Sequence, residues 1–478
     1  MKWHSLIYIY LTSSCLLLFG QNSQTNFIST PLSGSSENDK IIIDFQSYLK
    51  QAIPNNGRSP LQIELYIQNV KMKFTALPND IIDGELKRKF PDIFTFDLKF
   101  DGQPRINGSL TLSPTGFFAT IFDEGKLISI YPDKNSTSGL HVIEYGIQKD
   151  LPKLIEYCGH DHNTELLNRK STQNIYSGVR SDISLGSKRF NYRLAVVTTG
   201  EFYQKNGNND TAVMTIIVNS VNSINTIYSN ELSFRFTLGS RVFMYKDALT
   251  DPFTPDQSGG EDRAVQAGKV IPPHFNPLDY DIGHVFHQHA NGDGWTTGGL
   301  AWIGTVCSSF INASGQANKA SAWTGNFTNT GNSWVNLLAH ELGHQFGATH
   351  TFNGSGGSCT GSISLNNAVE IGSGSTIMAY NGICDDPQNI PNVDALDNYF
   401  HIKSLEEIYK YVYEGQGGNC GSPVNSPNII TQVNANPCNA NQHIIPKGTP
   451  FYLKASGFLS DNDIHTYCWE QIDEDGKM

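Results

Sequence analysis

Residues 340–350 read HELGHQFGATH, and this stretch constrains the fold more than any other part of the chain. His340 and His344 are four residues apart, so on an α-helix both imidazoles lie on one face, one turn from each other. Gly347 allows the chain to leave the helix sharply, which brings His350 back toward the same point. Three neutral histidine nitrogens with one open position indicate a catalytic zinc site, because a structural site fills all four positions with protein ligands.

Glu341 lies beside this ligand set, where a carboxylate can act as a general base on water at the metal. Ser333 is a suitable N-cap for the helix that carries the motif. Apolar residues recur at helical spacing along its expected buried side, at Val335, Leu338, Leu342 and Phe346. The motif therefore predicts a catalytic zinc site on a buried helix.

The composition indicates a folded, loop-rich protein with much β structure. The chain has 478 residues, enough for two to four domains, and 16% of them are charged while 44 are glycine. A formal charge of −12, without any lysine or arginine stripe, argues against a nucleic-acid partner. The composition predicts no particular oligomeric state.

Residues 1–20 have the order of a secretory signal peptide, with Lys2 before an apolar run that ends at Gly20. A membrane anchor is the alternative, but the run is shorter than a bilayer-spanning segment and contains polar residues. No other stretch is long and apolar enough to cross a membrane. We therefore expect a secreted protein, with association at the cell surface as a variant, and no membrane span in the mature chain.

Three regions follow the leader. Residues 21–189 show strand patterns without any catalytic grouping and end at the dibasic pair Lys188 and Arg189. Residues 190–420 alternate strand and helix patterns, which predicts an α/β domain. Its elements include a helix over residues 210–228 and strands over residues 282–288 and 300–307.

Residues 421–478 begin with a linker rich in Gly, Asn, Ser and Pro and continue with two strand signals. Cys438 and Cys468 are expected to pin these strands. The pattern resembles the start of an immunoglobulin-like or fibronectin-like β module. About fifty residues are too few for a complete sandwich, so we expect a partial module of a longer protein.

A second motif follows the histidines at residues 375–380, which read STIMAY. HExxHxxGxxH followed by a methionine turn resembles the metzincin clan of zinc endopeptidases, and the flanking cysteines and strands resemble its secreted bacterial reprolysin or adamalysin-like group. The resemblance covers about residues 190–420. It implies an α/β (α+β) fold with a twisted mixed sheet over the active-site helix, a β-rich propeptide before it, and protein or peptide substrates. Thr351 departs from the adamalysin-like pattern, which has aspartate at that position.

The same resemblance assigns roles to the matching residues. His340, His344 and His350 would bind one zinc ion, Glu341 would act as general base and then general acid, and Met378 would form a hydrophobic floor under the ligands. The roles of the zinc ion and of Glu341 also follow from the chemistry, because zinc lowers the pKa of water and polarises a peptide carbonyl.

Tyr380 matches a tyrosine of astacins and serralysins that reaches the zinc or the transition-state oxyanion. A tyrosine of the core or rim is the alternative. The strand predicted at residues 300–307 corresponds to the metzincin edge strand, which binds substrate as an added antiparallel strand. An ordinary sheet strand is the other interpretation.

Seven cysteines remain after the leader, so they cannot all pair within the chain. The resemblance implies that Cys307 pairs with Cys420 and that Cys359 pairs with Cys384. The second pair would close the glycine-rich loop between the helix and the methionine turn.

Cys158 is left over, in a segment that reads EYCGHD and resembles the cysteine switch of matrix metalloproteases. A thiolate there would occupy the fourth zinc position and keep the enzyme latent until cleavage near Lys188 and Arg189. A free or intermolecularly paired cysteine is the alternative.

Other candidate metal ligands have less support. His287 and His289 share a strand face with each other but not with His284, and no adjacent acidic ligand favours a second metal. Asp385 and Asp386 are candidates for a structural calcium ion, with a solvated turn as the simpler interpretation.

These observations predict a secreted zinc endopeptidase made as a zymogen. The alternatives are a catalytically silent homologue and a surface adhesion protein that uses its β modules for binding. Glu341 argues against the silent homologue, which has no physical need for a general base.

Overall fold

The computed structural model describes residues 30–31, 39–68, 70–103, 106–134, 139–146, 187–253, 261–289, 297–309, 317–390, 396–426, 433–434, 456–457 and 468–472. The predicted leader, Cys158 and Cys438 lie outside these residues. Two β-sheets with helices between and beside them account for most of the described chain.

The N-terminal sheet has nine antiparallel strands in the order β1-β2-β9-β8-β7-β6-β5-β4-β3. Burial alternates along its strands, as in Leu61–Ile67, so one face builds a core of its own under helix α1. It corresponds to the strand patterns of residues 21–189. The elements are β1 (Thr30–Pro31), β2 (Asp39–Ile42), α1 (Phe45–Ala52), β3 (Leu61–Ile67), β4 (Val70–Pro78), α2 (Gly84–Lys89), β5 (Phe94–Phe100), β6 (Asn107–Ser113), β7 (Gly116–Asp123), β8 (Lys126–Pro132) and β9 (Leu140–Tyr145).

The second sheet, called the mixed sheet, has the central order β11-β10-β13-β15-β14. Strand β14 is antiparallel to β15 and the other central pairs are parallel. The mixed α/β fold expected for residues 190–420 is therefore confirmed. The elements are β10 (Lys188–Thr198), α3 (Gly200–Lys205), α4 (Asp210–Leu232), β11 (Phe234–Thr237), β12 (Val242–Met244), α5 (Glu261–His274), β13 (Ile282–Gln288), β14 (Gly299–Ala301), β15 (Ala322–Asn326), α6 (Asn332–Gln345), α7 (Ile402–Tyr409) and β16 (Ser422–Asn425).

Helix α4 lies between the two sheets. Every residue from Val213 to Tyr228 is buried, which requires packing partners on all sides of the helix. Strands β6 and β7 of the N-terminal sheet contact it on one side and strand β11 of the mixed sheet on another. One apolar core consequently runs from the N-terminal sheet through α4 and α6 into the mixed sheet.

The strand predicted at residues 300–307 is much shorter in the structure, because β14 covers only Gly299–Ala301. Gly304 and Cys307 both have φ of +65°, a conformation that no strand accommodates. The prediction is therefore wrong over residues 302–307, where the chain turns toward the disulfide of Cys307.

Few residues of the predicted C-terminal module are described. Strands β17 (Val433–Asn434) and β18 (Ser456–Gly457) pair antiparallel. Cys468 is an exposed free cysteine. Its expected partner Cys438 lies outside the described residues. Within the described ranges, no helix is both long enough and apolar enough to cross a membrane.

Candidate metal centre

Helix α6 carries the first two histidines of the motif, and both are buried. It ends at Gln345, and the amide of Gly347 donates to the carbonyl of His344 at 2.8 Å. Gly347 has φ of +97°, which only glycine adopts without strain, and the chain therefore reverses within one turn. The reversal brings His350 beside the helix, and the candidate ligand atoms of the three histidines lie within 4.8 Å of one another.

The start of this helix differs from the sequence prediction. Ser333 is not the N-cap: α6 begins at Asn332, its N-cap position is Gly331, and no side chain of that position caps it. Ser333 instead accepts a hydrogen bond from the Asn326 amide at 3.0 Å. The helix N-terminus must therefore be satisfied by a group from elsewhere in the chain.

The three imidazole rings are fixed in one protonation state by the backbone. The Nδ1 atom of His340 lies 2.7 Å from the carbonyl of Ile377, that of His344 lies 2.7 Å from the carbonyl of Ala348, and that of His350 lies 2.8 Å from the carbonyl of Ser362. A carbonyl can only accept, so each Nδ1 carries the proton and each Nε2 is left with a lone pair.

Those three Nε2 atoms point at one another. That of His344 lies 3.1 Å from that of His340 and 3.1 Å from that of His350, and the atoms of His340 and His350 are 3.3 Å apart. Burial lowers the pKa of His340 to about 4, so a proton on this imidazole does not relieve the repulsion of its lone pair at neutral pH. A divalent cation does, and nitrogens bound tetrahedrally to zinc at about 2.0–2.1 Å lie roughly 3.3 Å apart. The donor set therefore fits a zinc ion.

Glu341 is fully buried next to the edge strand β14. Its carboxylate packs against the backbone of Gly299, where a Cβ atom would lie only 2.7 Å from Oε1 and 2.8 Å from the carboxylate carbon. The Glu341 carboxylate thus packs directly against the backbone of the edge strand, and the absence of a side chain at Gly299 allows this contact.

The methionine turn lies against the helix that carries His340 and His344. Met378 is fully buried, and a Cβ atom at Gly343 would lie 2.7 Å from its Sδ atom, so the sulfur contacts the helix between the first two histidines. The Tyr380 ring stacks on Phe352 at 4.4 Å and lies 4.5 Å from the His350 ring. The structure therefore brings both residues to the histidine cluster.

Glu370 is a residue of this site that no pattern in the sequence indicates. Its carboxylate accepts hydrogen bonds from the hydroxyl of Thr351, from the hydroxyl of Thr376 at 2.6 Å, and from the amides of Ser375 and Thr376 at 2.8 and 3.1 Å. It connects the residue after His350 to the turn that leads to Met378. No motif marks an isolated glutamate in a glycine-rich loop, so the sequence carries no signal for this role.

Both implied disulfides are formed, between Cys307 and Cys420 and between Cys359 and Cys384. The second joins cysteines 25 positions apart, and the loop between them contains Glu370 and the methionine turn. It therefore closes the loop that supplies the floor of the histidine cluster.

The remaining candidates lie apart from this cluster. His284 is buried and bonds Gln345 Oε1 at 2.9 Å and Thr324 Oγ1 at 2.7 Å, which explains its presence structurally. His287 belongs to strand β13 and His289 follows that strand directly, and both are buried. Asp385 and Asp386 are exposed.

Comparison with known proteins bears on residues 189–407, which match the model of metallopeptidase family M12B, described as Reprolysin-like. A search of curated proteins gave no match. Among solved structures, metalloproteinase-II from Bacteroides fragilis is similar with 13% identity and a TM-score of 0.39, over 76% of this chain and 94% of that one, a likeness too distant to bear on the argument. The family match confirms the reprolysin-like resemblance of the sequence over residues 189–407, the part of the chain that matches the metallopeptidase family M12B.

Proposed function

We propose that this chain is a secreted zinc endopeptidase in which His340, His344 and His350 hold the metal and Glu341 is the general base. The observation that carries the proposal is the triangle of three unprotonated Nε2 atoms beside a buried carboxylate. This arrangement is costly unless a cation occupies it, and the family match supplies the peptidase context.

Zinc supplies Lewis acidity, which lowers the pKa of water toward neutrality and polarises a peptide carbonyl. Glu341 takes the proton of the attacking water and later delivers it to the nitrogen of the leaving amine. The contact with Gly299 restricts where its carboxylate can lie, so the base is positioned before substrate arrives. Met378 holds the helix from below and has no part in proton transfer.

Tyr380 is a candidate for stabilising negative charge on the carbonyl oxygen during the reaction. Its ring lies 6.0 Å from that of His340 and 4.5 Å from that of His350, which supports this role. It is only 3% exposed and stacks on Phe352, which supports the alternative of a core tyrosine. If Tyr380 stabilises the carbonyl oxygen, its hydroxyl contributes to kcat. If Tyr380 is a core residue, its ring contributes to the stability of the fold.

The edge strand β14 is our candidate for binding the substrate backbone. It is the last strand of the central order of the mixed sheet and pairs with β15 on one side. An extended peptide can add to the other side in antiparallel orientation. Glu341 lies against the first residue of this strand, so a peptide bound there passes beside the general base.

We further propose that residues 1–20 are a signal peptide, that the chain is made as a precursor which is cut before the peptidase domain, and that Cys158 keeps the precursor latent as a zinc ligand. The leader pattern and the unpaired cysteine count of the sequence support these assignments. Replacement of Cys158 by alanine should then give activity in the uncut precursor, and an unchanged lag would remove the switch.

The proposed chemistry is tested by measuring zinc content and casein cleavage of the processed protein beside Glu341→Gln. The wild-type protein should hold one zinc ion and cleave casein, and a chelator should abolish cleavage. Glu341→Gln should keep its zinc but lose activity by at least about a thousandfold. Equal cleavage by the variant excludes Glu341 as the base.

A binding protein without activity is separated by the same experiment. It would retain zinc in both forms and cleave nothing in either. Glu85→Gln, an exposed carboxylate in helix α2, is the matched control and should leave cleavage unchanged.

A further inference from the structure

The N-terminus of α6 is covered by a residue of the N-terminal sheet. Glu144 of strand β9 is 2% exposed, and its Oε1 atom accepts a hydrogen bond from the backbone amide of Asn332 at 3.3 Å. A carboxylate at this end of a helix satisfies a free amide and faces the positive end of the helix dipole. The sheet therefore supplies the cap that the helix lacks within its own sequence.

Asn332, the first residue of α6, is enclosed by the same sheet. Its Nδ2 atom donates to the carbonyls of Leu127, Glu144 and Gly146 at 3.0, 3.3 and 2.7 Å. Its Oδ1 atom accepts from the hydroxyl of Ser129 at 2.5 Å. Every polar atom of this fully buried side chain thus has its partner in strands β8 and β9 or at the residue directly after them.

Two more buried asparagines bond the same sheet. Asn222 of α4 donates to the carbonyl of Leu110 at 3.0 Å. Asn398 accepts from the amide of Leu127 at 3.0 Å and donates its own amide to the carbonyl of Gly125 at 2.7 Å. Removing the sheet would leave these groups without their protein partners in a surface that is otherwise apolar.

The apolar part of the contact is continuous. The core that holds α4 and α6 includes side chains of the N-terminal region that have no place in that region's own core, namely Ile81, Ile82, Leu86, Phe90, Ile93, Phe118, Phe122 and Leu127. If the sheet left the peptidase domain, these apolar side chains would become exposed to water. Soluble domains seldom expose so large an apolar surface.

Charged pairs close the rim. Arg235 binds Asp97 with two nitrogens at 3.0 and 3.1 Å, and Lys126 binds Asp397 at 2.7 Å. The buried asparagines, the shared core and these ion pairs resemble an obligate interface more than a releasable one.

We infer that the nine-stranded sheet is a permanent subunit of the mature peptidase, which stays bound after the chain is cut between residues 146 and 188 and holds the start of α6 in place. The inference rests on the proposed function only for the event of cutting. It separates two tasks within residues 21–189: latency belongs to the segment that contains Cys158, whereas the sheet supports the active fold.

The test uses the full chain with a recognition sequence for a site-specific protease placed within residues 147–187. The same insertion is made in the wild-type and Glu341→Gln chains, so that the result does not depend on peptidase activity. After complete cutting, size exclusion with mass determination should give one particle that contains both fragments. Two separately eluting fragments in native buffer overturn the inference.

Variants then locate the attachment. Asn332→Ala removes the donor to three carbonyls of the sheet and the residue after it, and should raise the dissociation constant of the cut complex at least tenfold. Asn230→Ala is the matched control, because Asn230 bonds Asn107 of the same sheet at an exposed position, and it should change the constant less than threefold. Equal effects of both variants contradict the role of the α6 N-terminus.

The outcomes separate the two proposals. Co-eluting fragments without peptidase activity contradict the proposed function and support the permanent subunit. Separate fragments with an active C-terminal part contradict the permanent subunit and support the proposed function.

Discussion

The hydroxyl of Thr351 donates a hydrogen bond to the carboxylate of Glu370. The same carboxylate accepts hydrogen bonds from the backbone amides of Ser375 and Thr376, which lead to Met378. Thr351 follows the third histidine directly, so this carboxylate joins the ligand loop to the floor of the site. Thr351 stands where adamalysin-like sequences carry aspartate, and Glu370 supplies a carboxylate at that place from a distant part of the loop.

Glu370→Gln should therefore weaken metal binding. Glutamine carries an NH2 group in place of one carboxylate oxygen and has no charge. The hydroxyls of Thr351 and Thr376, which both donate to Oε2, must then turn to accept instead, and the bonds to Glu370 lose the strengthening effect of the negative charge. Zinc affinity should fall on the order of tenfold, measured by competition with a chromogenic chelator. Glu85→Gln repeats the same chemical change at an exposed site, and equal affinity in both variants would show that Glu370 does not support the ligands.

Gly299→Ala should reduce turnover without removing zinc. The new Cβ atom would lie within 2.8 Å of the Glu341 carboxylate, which must move. A displacement of about 1 Å of a catalytic group can lower kcat on the order of a hundredfold. Full activity of Gly299→Ala would show that the carboxylate adjusts without loss.

The stability of the chain should fall as pH rises toward 7 because of Glu144. Burial raises the pKa of this carboxyl from its ordinary value of 4.5 to about 7, and Tyr131, the titratable group that faces it, donates to it at 2.9 Å. The folded state therefore binds the proton more tightly than the unfolded state. The stabilisation is complete below pH 4.5 and is lost as the pH rises to about 7, by at most about 3 kcal/mol.

Urea unfolding of the wild type and of Glu144→Gln between pH 4.5 and 8.5 measures this effect. The difference between the two proteins isolates Glu144 from Glu231 and Glu470, whose carboxyl pKa values burial also raises to about 7. Parallel pH profiles of the two proteins would assign the dependence to other groups.

Replacing both Cys359 and Cys384 by alanine should lower the free energy of unfolding by about 3 kcal/mol, because the disulfide closes a 25-residue loop in the unfolded chain. Zinc should also dissociate faster, since that loop carries Glu370 and Met378. Cys468→Ser, at an exposed free cysteine, should change neither quantity. Unaltered zinc release in the double variant would mean that hydrogen bonds alone hold the loop.

The histidine cluster was predictable because it depends on local geometry. A spacing of four residues on a helix and a glycine after it are sufficient to bring His340, His344 and His350 together. Strand β13 was also predictable, since its apolar pattern has the bounds that the structure gives it.

The residues that hold the histidine cluster in place were not predictable from the sequence. Ser333 satisfies the usual preference for an N-cap, but Glu144 reaches the same helix end from 188 positions earlier in the chain. Glu370 acts through a loop with no periodicity, and β14 ends early because residues 304 and 307 take left-handed conformations. These features depend on tertiary packing, which overrides local preference.

Strand β10 begins at Lys188, and its first four residues pair antiparallel with Ser422–Asn425 of β16. The chain enters at Lys188 and leaves at Asn425, which are partners at the same end of this ladder. Tension between the two flanking segments would therefore break the pairs one at a time, as in a zipper, at low force. Opening would stop at Cys420, whose disulfide to Cys307 lies just beyond the last pair. This disulfide would thus set the limit of mechanical opening from the two flanking segments, and its reduction would remove that limit.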